Sequence, residues 1–203
     1  VAAALATIQE AELWLVQMRI ADMGFSQILA AHRALVWQRQ GNQAGALGWA
    51  TTSAQRPDQN RLDLRPWENL ILVRVWLAAG ETTQAVQMIE QMQTLATARR
   101  WTANLIELSA SQALAYQQQG DGIKAQTTLC QALALAAPAG FVRTFIDRGE
   151  PMRLLMRGLR LSAADAHLRG YLDQLLTAFA QESALASSQR VPGSSARAEA
   201  SAP

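Results

Sequence analysis

With 203 residues, half of them hydrophobic, the chain is long enough to bury one sizeable core or a short stack of repeats. A net charge of +2, with arginine supplying every basic residue but Lys124, indicates no polyanion partner, and the single cysteine, Cys130, excludes an internal disulfide or a cysteine-built zinc cluster. No apolar run approaches the ~20 residues of a membrane span. Glu10 and Glu12 interrupt the apolar start that a signal peptide would need, so the expectation is a cytoplasmic protein with neither membrane nor direct nucleic-acid binding.

Abundant Ala, Leu and Gln predict helices throughout. Residues 2 to about 23 read as the first helix, with Leu5, Ile8, Leu15 and Ile20 among its apolar positions and Gly24 as its stop. It has the character of the second member of a helix pair. Residues 26–40 and 42–54 make the first complete pair, followed by a polar loop over 55–66 punctuated by Pro57 and Pro66. Pro66 suits the first turn of the next helix. Residues 66–79 with 82–98 form a second pair, and 102–119 with 121–137 a third, which Pro138 and Gly140 end. Residues 141–147 are a compact apolar segment of one or two helical turns, and 151–161 a helix carrying Met152, Leu155, Met156 and Leu159. Ser162 and Asp165 have the spacing of a capping box that opens a last helix, running to about 182 with Leu168, Leu172, Leu175, Leu176 and Phe179 inward. The remainder, 183–203, is rich in Ser, Ala and Pro and reads as a linker or tail, so that the chain, which starts at Val1, is expected to be a piece of a larger protein.

Superimposing the hinge glycines Gly41, Gly80 and Gly120 brings their surroundings into register. Four residues before each stands an aromatic (Trp37, Trp76, Tyr116), and seven before, a small residue (Ala34, Val73, Ala113). Five after each is alanine (Ala46, Ala85, Ala125), nine after come Ala50, Ile89 and Leu129, and twelve after, Ser53, Met92 and Ala132. Small residues let helices approach closely while larger ones fill the space beside them. This pattern resembles the tetratricopeptide repeat, whose usual period is about 34 residues; here the hinges lie 39 and 40 residues apart, so the helices are longer. The fold class expected is all-α, a TPR-like superhelix of antiparallel helix pairs.

No catalytic constellation appears. His32 and His167 lie far apart without metal-ligand spacing, and Ser109, Ser111 and Ser162 lack a nucleophile-elbow context. Glu107 and Asp121 occur singly, and Cys130 reads as a small hydrophobe. Arg153, Arg157 and Arg160 share one helix face, read first as solvated surface and second as a contact for an acidic partner or a neighbouring domain. The chain is expected not to be an enzyme.

QALALAAPAGFVRTFIDRGEPMRLLMRGL, residues 131–159, resembles the C-terminal part of the helical sensor region of MalT-type, LuxR-class, ATP-dependent bacterial transcriptional activators. RALVWQRQGNQAGALGWA, ENLILVRVWLAAGETTQAVQMIEQM and IELSASQALAYQQQGD resemble the preceding repeats in the same order. The resemblance implies a sensor domain over 1–182, a linker over 183–203, and nucleotide-binding and DNA-binding domains elsewhere in the full-length protein. No G-x-x-x-x-G-K-[ST] loop is present, so no cofactor is expected here and ATP only in an absent N-terminal domain. In a tetratricopeptide superhelix the first helix of each pair lines the inner groove. That geometry selects Gln38 and Arg39, then Trp67 and Arg74, then Glu107, Gln117 and Gln118. A ring, amides, two arginines and a carboxylate suit a small-molecule effector, a sugar among them, or a peptide or protein partner. The alternative is a passive protein–protein scaffold with no small-molecule site.

Overall fold

The computed structural model describes residues 2–18, 25–55, 66–163 and 165–188. Helix α1 spans Ala2–Gln17, α2 Phe25–Arg39 and α3 Gln43–Ala54. Helix α4 spans Pro66–Ala79, α5 Thr82–Arg99, α6 Thr102–Gln118 and α7 Gly122–Ala136. A short α8, Arg143–Ile146, leads to α9, Glu150–Arg157, and to α10, Arg169–Ser188. No strand occurs among the described residues, and the all-α TPR-like architecture is as the hinge register predicts. The expected stop at Gly24, with Ile20, and the loop with Pro57 lie outside the described residues, as does the tail beyond Ser188.

One turn, repeated, makes the three pairs α2–α3, α4–α5 and α6–α7. Gly41, Gly80 and Gly120 all take left-handed φ, at 77°, 81° and 80°, where a Cβ would be penalised. The amide after each glycine then donates back to the aromatic carbonyl: Asn42 N to Trp37 O, Glu81 N to Trp76 O and Asp121 N to Tyr116 O, all 2.9 Å. The glycine amides donate to Gln38 O, Leu77 O and Gln117 O at 3.1, 3.2 and 3.1 Å. Together these bonds form a Schellman motif that satisfies carbonyls at the helix end. The residue after the glycine also caps the next helix, and Asn42 and Asp121 do so with side-chain oxygens 3.0 Å from Gly45 N and Lys124 N. The same backbone pattern recurs between the second and third pairs, with Arg100 at φ 57° and Trp101 N 2.8 Å from Ala96 O.

The small positions are the contact seams. Ala34, Val73, Ala113, Ala85 and Ala125 are fully buried, and Ala46 nearly so. Ala50, Ile89, Leu129, Met92 and Ala132 fill the same core. Ser53, in the core position, donates from Oγ to Oε1 of the buried Glu68, which ties α3 to α4. Trp76 is buried, whereas Trp37 and Tyr116 pack half-buried on the core. The Arg33 guanidinium lies 5.0 Å from the Trp37 ring centroid, and the Lys124 ammonium 5.7 Å from that of Tyr116. Gly45 leaves room for the Trp37 ring, which an added Cβ would meet at 3.1 Å.

Helices α8 to α10 depart from the repeat and close its last pair. Phe145, Met152, Leu155 and Met156 are buried, with Leu168, Leu172, Leu175 and Phe179 beside them; Leu176 is half-buried against the same core. Tyr171 meets Phe145 edge-on at 6.4 Å and donates its hydroxyl to Phe141 O. Helix α9 ends at Arg157, short of the expected 161, because Gly158 caps it and Leu159 turns back onto the core. Ser162 Oγ accepts from Asp165 N at 3.2 Å, but the Asp165 carboxylate takes the Ser162 hydroxyl instead of its amide, so only half a capping box forms. Helix α10 continues to Ser188, beyond the expected end near 182.

Replacing Ala85 or Ala125 with leucine forces methylenes into these seams and is expected to cost about 1–3 kcal/mol. Urea denaturation curves checks this; midpoints unchanged by both substitutions would place the two alanines outside the helix contacts.

Candidate functional site

The first helices of the pairs, α2, α4 and α6, present side chains to one side, and the α8–α9 junction lies against them. On α6, Glu107, Ser111, Leu114 and Gln118 recur at four-, three- and four-residue steps, one stripe of a 3.6-residue helix. Arg74 on α4 and Gln38 in the last turn of α2 face the same space. A cavity of about 130 Å³ opens there, lined by Gln38, Arg74, Leu77, Ala78, Ser111, Leu114, Gln117, Gln118, Asp147, Arg148 and Pro151. Gln38 also borders two neighbouring cavities. One, of about 540 Å³, runs past Arg39 and Asp147 to Arg153 and Glu182; the other, of about 220 Å³, lies beside Gly41 and Ala46. The three share Gln38 and together line one side of the first helices as a groove.

Four arginines and three carboxylates hold this region together. Arg148, with only 3% of its side chain exposed, pairs with Glu107 Oε1 at 3.1 Å. It also donates to Glu107 O at 2.8 Å, to Ser111 Oγ at 2.9 Å and to Thr144 O. Arg74 donates from Nη2 to Asp147 O at 2.9 Å, but its nearest carboxylate oxygen, Glu107 Oε1, stands 3.9 Å away. Asp147 Oδ1 is paired with Arg143 and lies 3.7 Å from Arg39 Nη2, while Arg143 reaches on to Glu182 at 3.1 Å. Burial pushes the Arg74 pKa down, the positive charge of Arg148 adds to that, and Glu107 and Asp147 oppose it.

Of the seven residues selected from sequence, Gln38, Arg74, Gln117 and Gln118 line one cavity, Glu107 sits in the ion network beneath it, and Arg39 borders the adjoining cavity. Gln118 acts mainly as a brace: Nε2 donates to Leu77 O at 2.8 Å and Oε1 accepts from Thr82 Oγ1 at 3.1 Å. Trp67 stands apart. Seven residues along α4 is about 10 Å of helix, so Trp67 packs half-buried on the core instead of lining the Arg74 cavity. Sequence reasoning missed Asp147, Arg148 and Pro151, which come from outside the repeats. The one signal was the polar run Asp147–Glu150 between two apolar segments, which reads locally as a helix start.

Elsewhere the side chains are ordinary. Among the described residues no group of three His, Cys, Asp or Glu has metal-binding geometry. His32 Nδ1 sits 2.8 Å from Ile28 O within its own helix. Burial raises the Cys130 thiol pKa, the opposite of what a reactive thiolate needs. Arg153 pairs with Glu150 at 2.5 Å on the surface.

Truncating Arg148 to methionine leaves Glu107 without its closest cation in a desolvated place. A loss of about 3 kcal/mol is expected, partly recovered by adding Glu107→Gln. Denaturation midpoints measure both; an R148M variant as stable as the parent would contradict the arrangement.

No solved structure matches the chain. Among the described residues no helix is long and apolar enough to cross a membrane. Residues 1–162, which take in all three pairs and the α8–α9 junction that completes the groove, match the family described as the MalT-like TPR region. The chain belongs to that family.

Proposed function

We propose that this chain is the effector-sensing, partner-binding regulatory module of a bacterial, cytoplasmic transcriptional regulator of the MalT type, LuxR class. It performs no catalysis and carries no cofactor of its own. ATP and DNA are handled by other domains of the full-length protein, and the groove receives a small molecule, a sugar among the candidates, or a peptide. The observation that carries this reading is the composition of the cavity wall. Gln38, Arg74 and Gln117 come from three successive pairs, and Asp147, Arg148 and Pro151 from the segment beyond them. A ligand seated there touches both parts at once. It therefore binds better to the arrangement in which they are docked, and differential affinity of that kind is what shifts a conformational population. The second reading, a passive scaffold, draws on α1, where Leu13, Trp14 and Val16 are more than half exposed and suit a protein surface better than a small molecule.

Titration of saccharides, organic acids and short peptides, followed by tryptophan fluorescence, tests the proposal, because Trp37 and Trp76 adjoin residues that border the groove. At least one member is expected to saturate the signal, and Gln38→Ala to weaken it about tenfold. ATP and duplex DNA are expected to give no saturable response. Tight ATP binding, or saturation untouched by Gln38→Ala, would contradict the proposal.

A further inference from the structure

We propose that the cavity at Arg74 takes the carboxylate of a small organic acid, whose apolar body lies against Leu77, Leu114 and Pro151. This rests on the reading of the groove as a ligand site and specifies the charge and shape of what enters it.

The argument begins with charge. Arg39, Arg74, Arg143 and Arg148 face only Glu107, Asp147 and Glu182 in the connected network, which leaves one positive charge unmatched. The carboxylates are already committed: Glu107 to Arg148, and Asp147 and Glu182 to Arg143. Arg148 already engages two main-chain carbonyls, a hydroxyl and a carboxylate. Arg39 and Arg74 are the two arginines left with only a long, shared carboxylate contact, at 3.7 and 3.9 Å; Arg39 is 58% exposed to water, so Arg74 is the buried one. A guanidinium carries five N–H donors, yet that of Arg74 makes one hydrogen bond, to a neutral carbonyl. A largely buried cation without a close anion is costly, and Arg74 is only 19% exposed in its side chain. Desolvation accordingly disfavours its charged form. An incoming carboxylate would supply the missing charge and accept from the planar fork through two oxygens.

Shape narrows the ligand further. Leu77, Ala78, Leu114 and Pro151 give the wall an apolar part, beside the polar Gln38, Ser111, Gln117 and Gln118 and the ion-paired Asp147 and Arg148. The volume, about 130 Å³, resembles the roughly 150 Å³ in which an apolar cavity holds benzene. A ring-sized body with one carboxylate fits both the charge and the room, and larger acids can extend into the adjoining 540 Å³ space.

Sodium benzoate and its neutral isostere benzamide, titrated against the full chain at constant ionic strength, provide the test. Thermal melting and NMR chemical shifts are the readouts. Benzoate is expected to bind saturably and at least about tenfold more tightly than benzamide. Arg74→Lys keeps the charge but not the fork and is expected to weaken benzoate severalfold. Arg39→Gln, at a position with 58% of its side chain exposed, should weaken it less. Saturable binding of benzamide with none of benzoate would overturn the acid and leave the ligand-site reading standing. Absence of saturable benzoate binding, or benzoate binding indifferent to Arg74→Lys, would also overturn the inference.

Discussion

The structure depends on one backbone arrangement: a left-handed glycine whose following amide bonds the carbonyl of the aromatic five residues earlier. At Gly41, Gly80 and Gly120 the distance is the same 2.9 Å and φ lies between 77° and 81°, so every pair turns on the same backbone geometry. The alanine five residues after each glycine and the small residue seven before it are both buried in the same core. Close helix approach at small residues makes the packing between neighbours repeat as well. The first helices are then held in a row, and a row of equivalent faces is what a groove requires.

That groove is not a product of the repeats alone. Arg148 enters from the α8–α9 junction and is desolvated against α6, where it bonds the main chain and side chain of Glu107 and the hydroxyl of Ser111. Taking a guanidinium out of water is expensive unless it is paired and hydrogen-bonded, so these contacts favour the docked position of the junction. Arg74 reads the same junction through Asp147 O. The cavity wall and the docking of the C-terminal segment therefore rest on shared atoms. Whatever changes one of them is felt by the other, and the proposed sensor function draws on that coupling.

Most of the fold was legible because its determinants are local. Helix ends, hinge glycines and the alanine register are set within about a dozen residues, and the observed helices agree to within a residue or two for the three pairs. Pro66 does begin its helix, as the sequence indicates. The differences arise where long-range contact decides. Leu159 falls on the apolar period of α9, but Gly158 ends the helix and Leu159 reaches the core from a turn. Helix α10 runs past the compositional boundary near 182, where the Ser and Ala content suggested a tail. For the site, the groove geometry implied by the tetratricopeptide resemblance pointed to α2, α4 and α6 and so to Gln38, Arg74 and Gln117. The same geometry also selected Trp67, because a helix assignment alone does not distinguish a groove position from a core contact further along the helix. Arg148 was invisible to it, since its partners lie 37 and 41 residues away and nothing in a local window identifies an arginine that will be buried.

The central claim is that the repeats and the α8–α9 junction form one cooperative unit through Arg148. Native-state hydrogen exchange tests it most directly, comparing the Phe145 and Ile146 amides, which bond Val142 O at 3.1 and 3.2 Å, with the amides in the middle of α6. The account predicts the same opening free energy for both groups, within about 1 kcal/mol, as for a single cooperative unit. Exchange of the junction amides through a local opening several kcal/mol easier than that of α6 would contradict it.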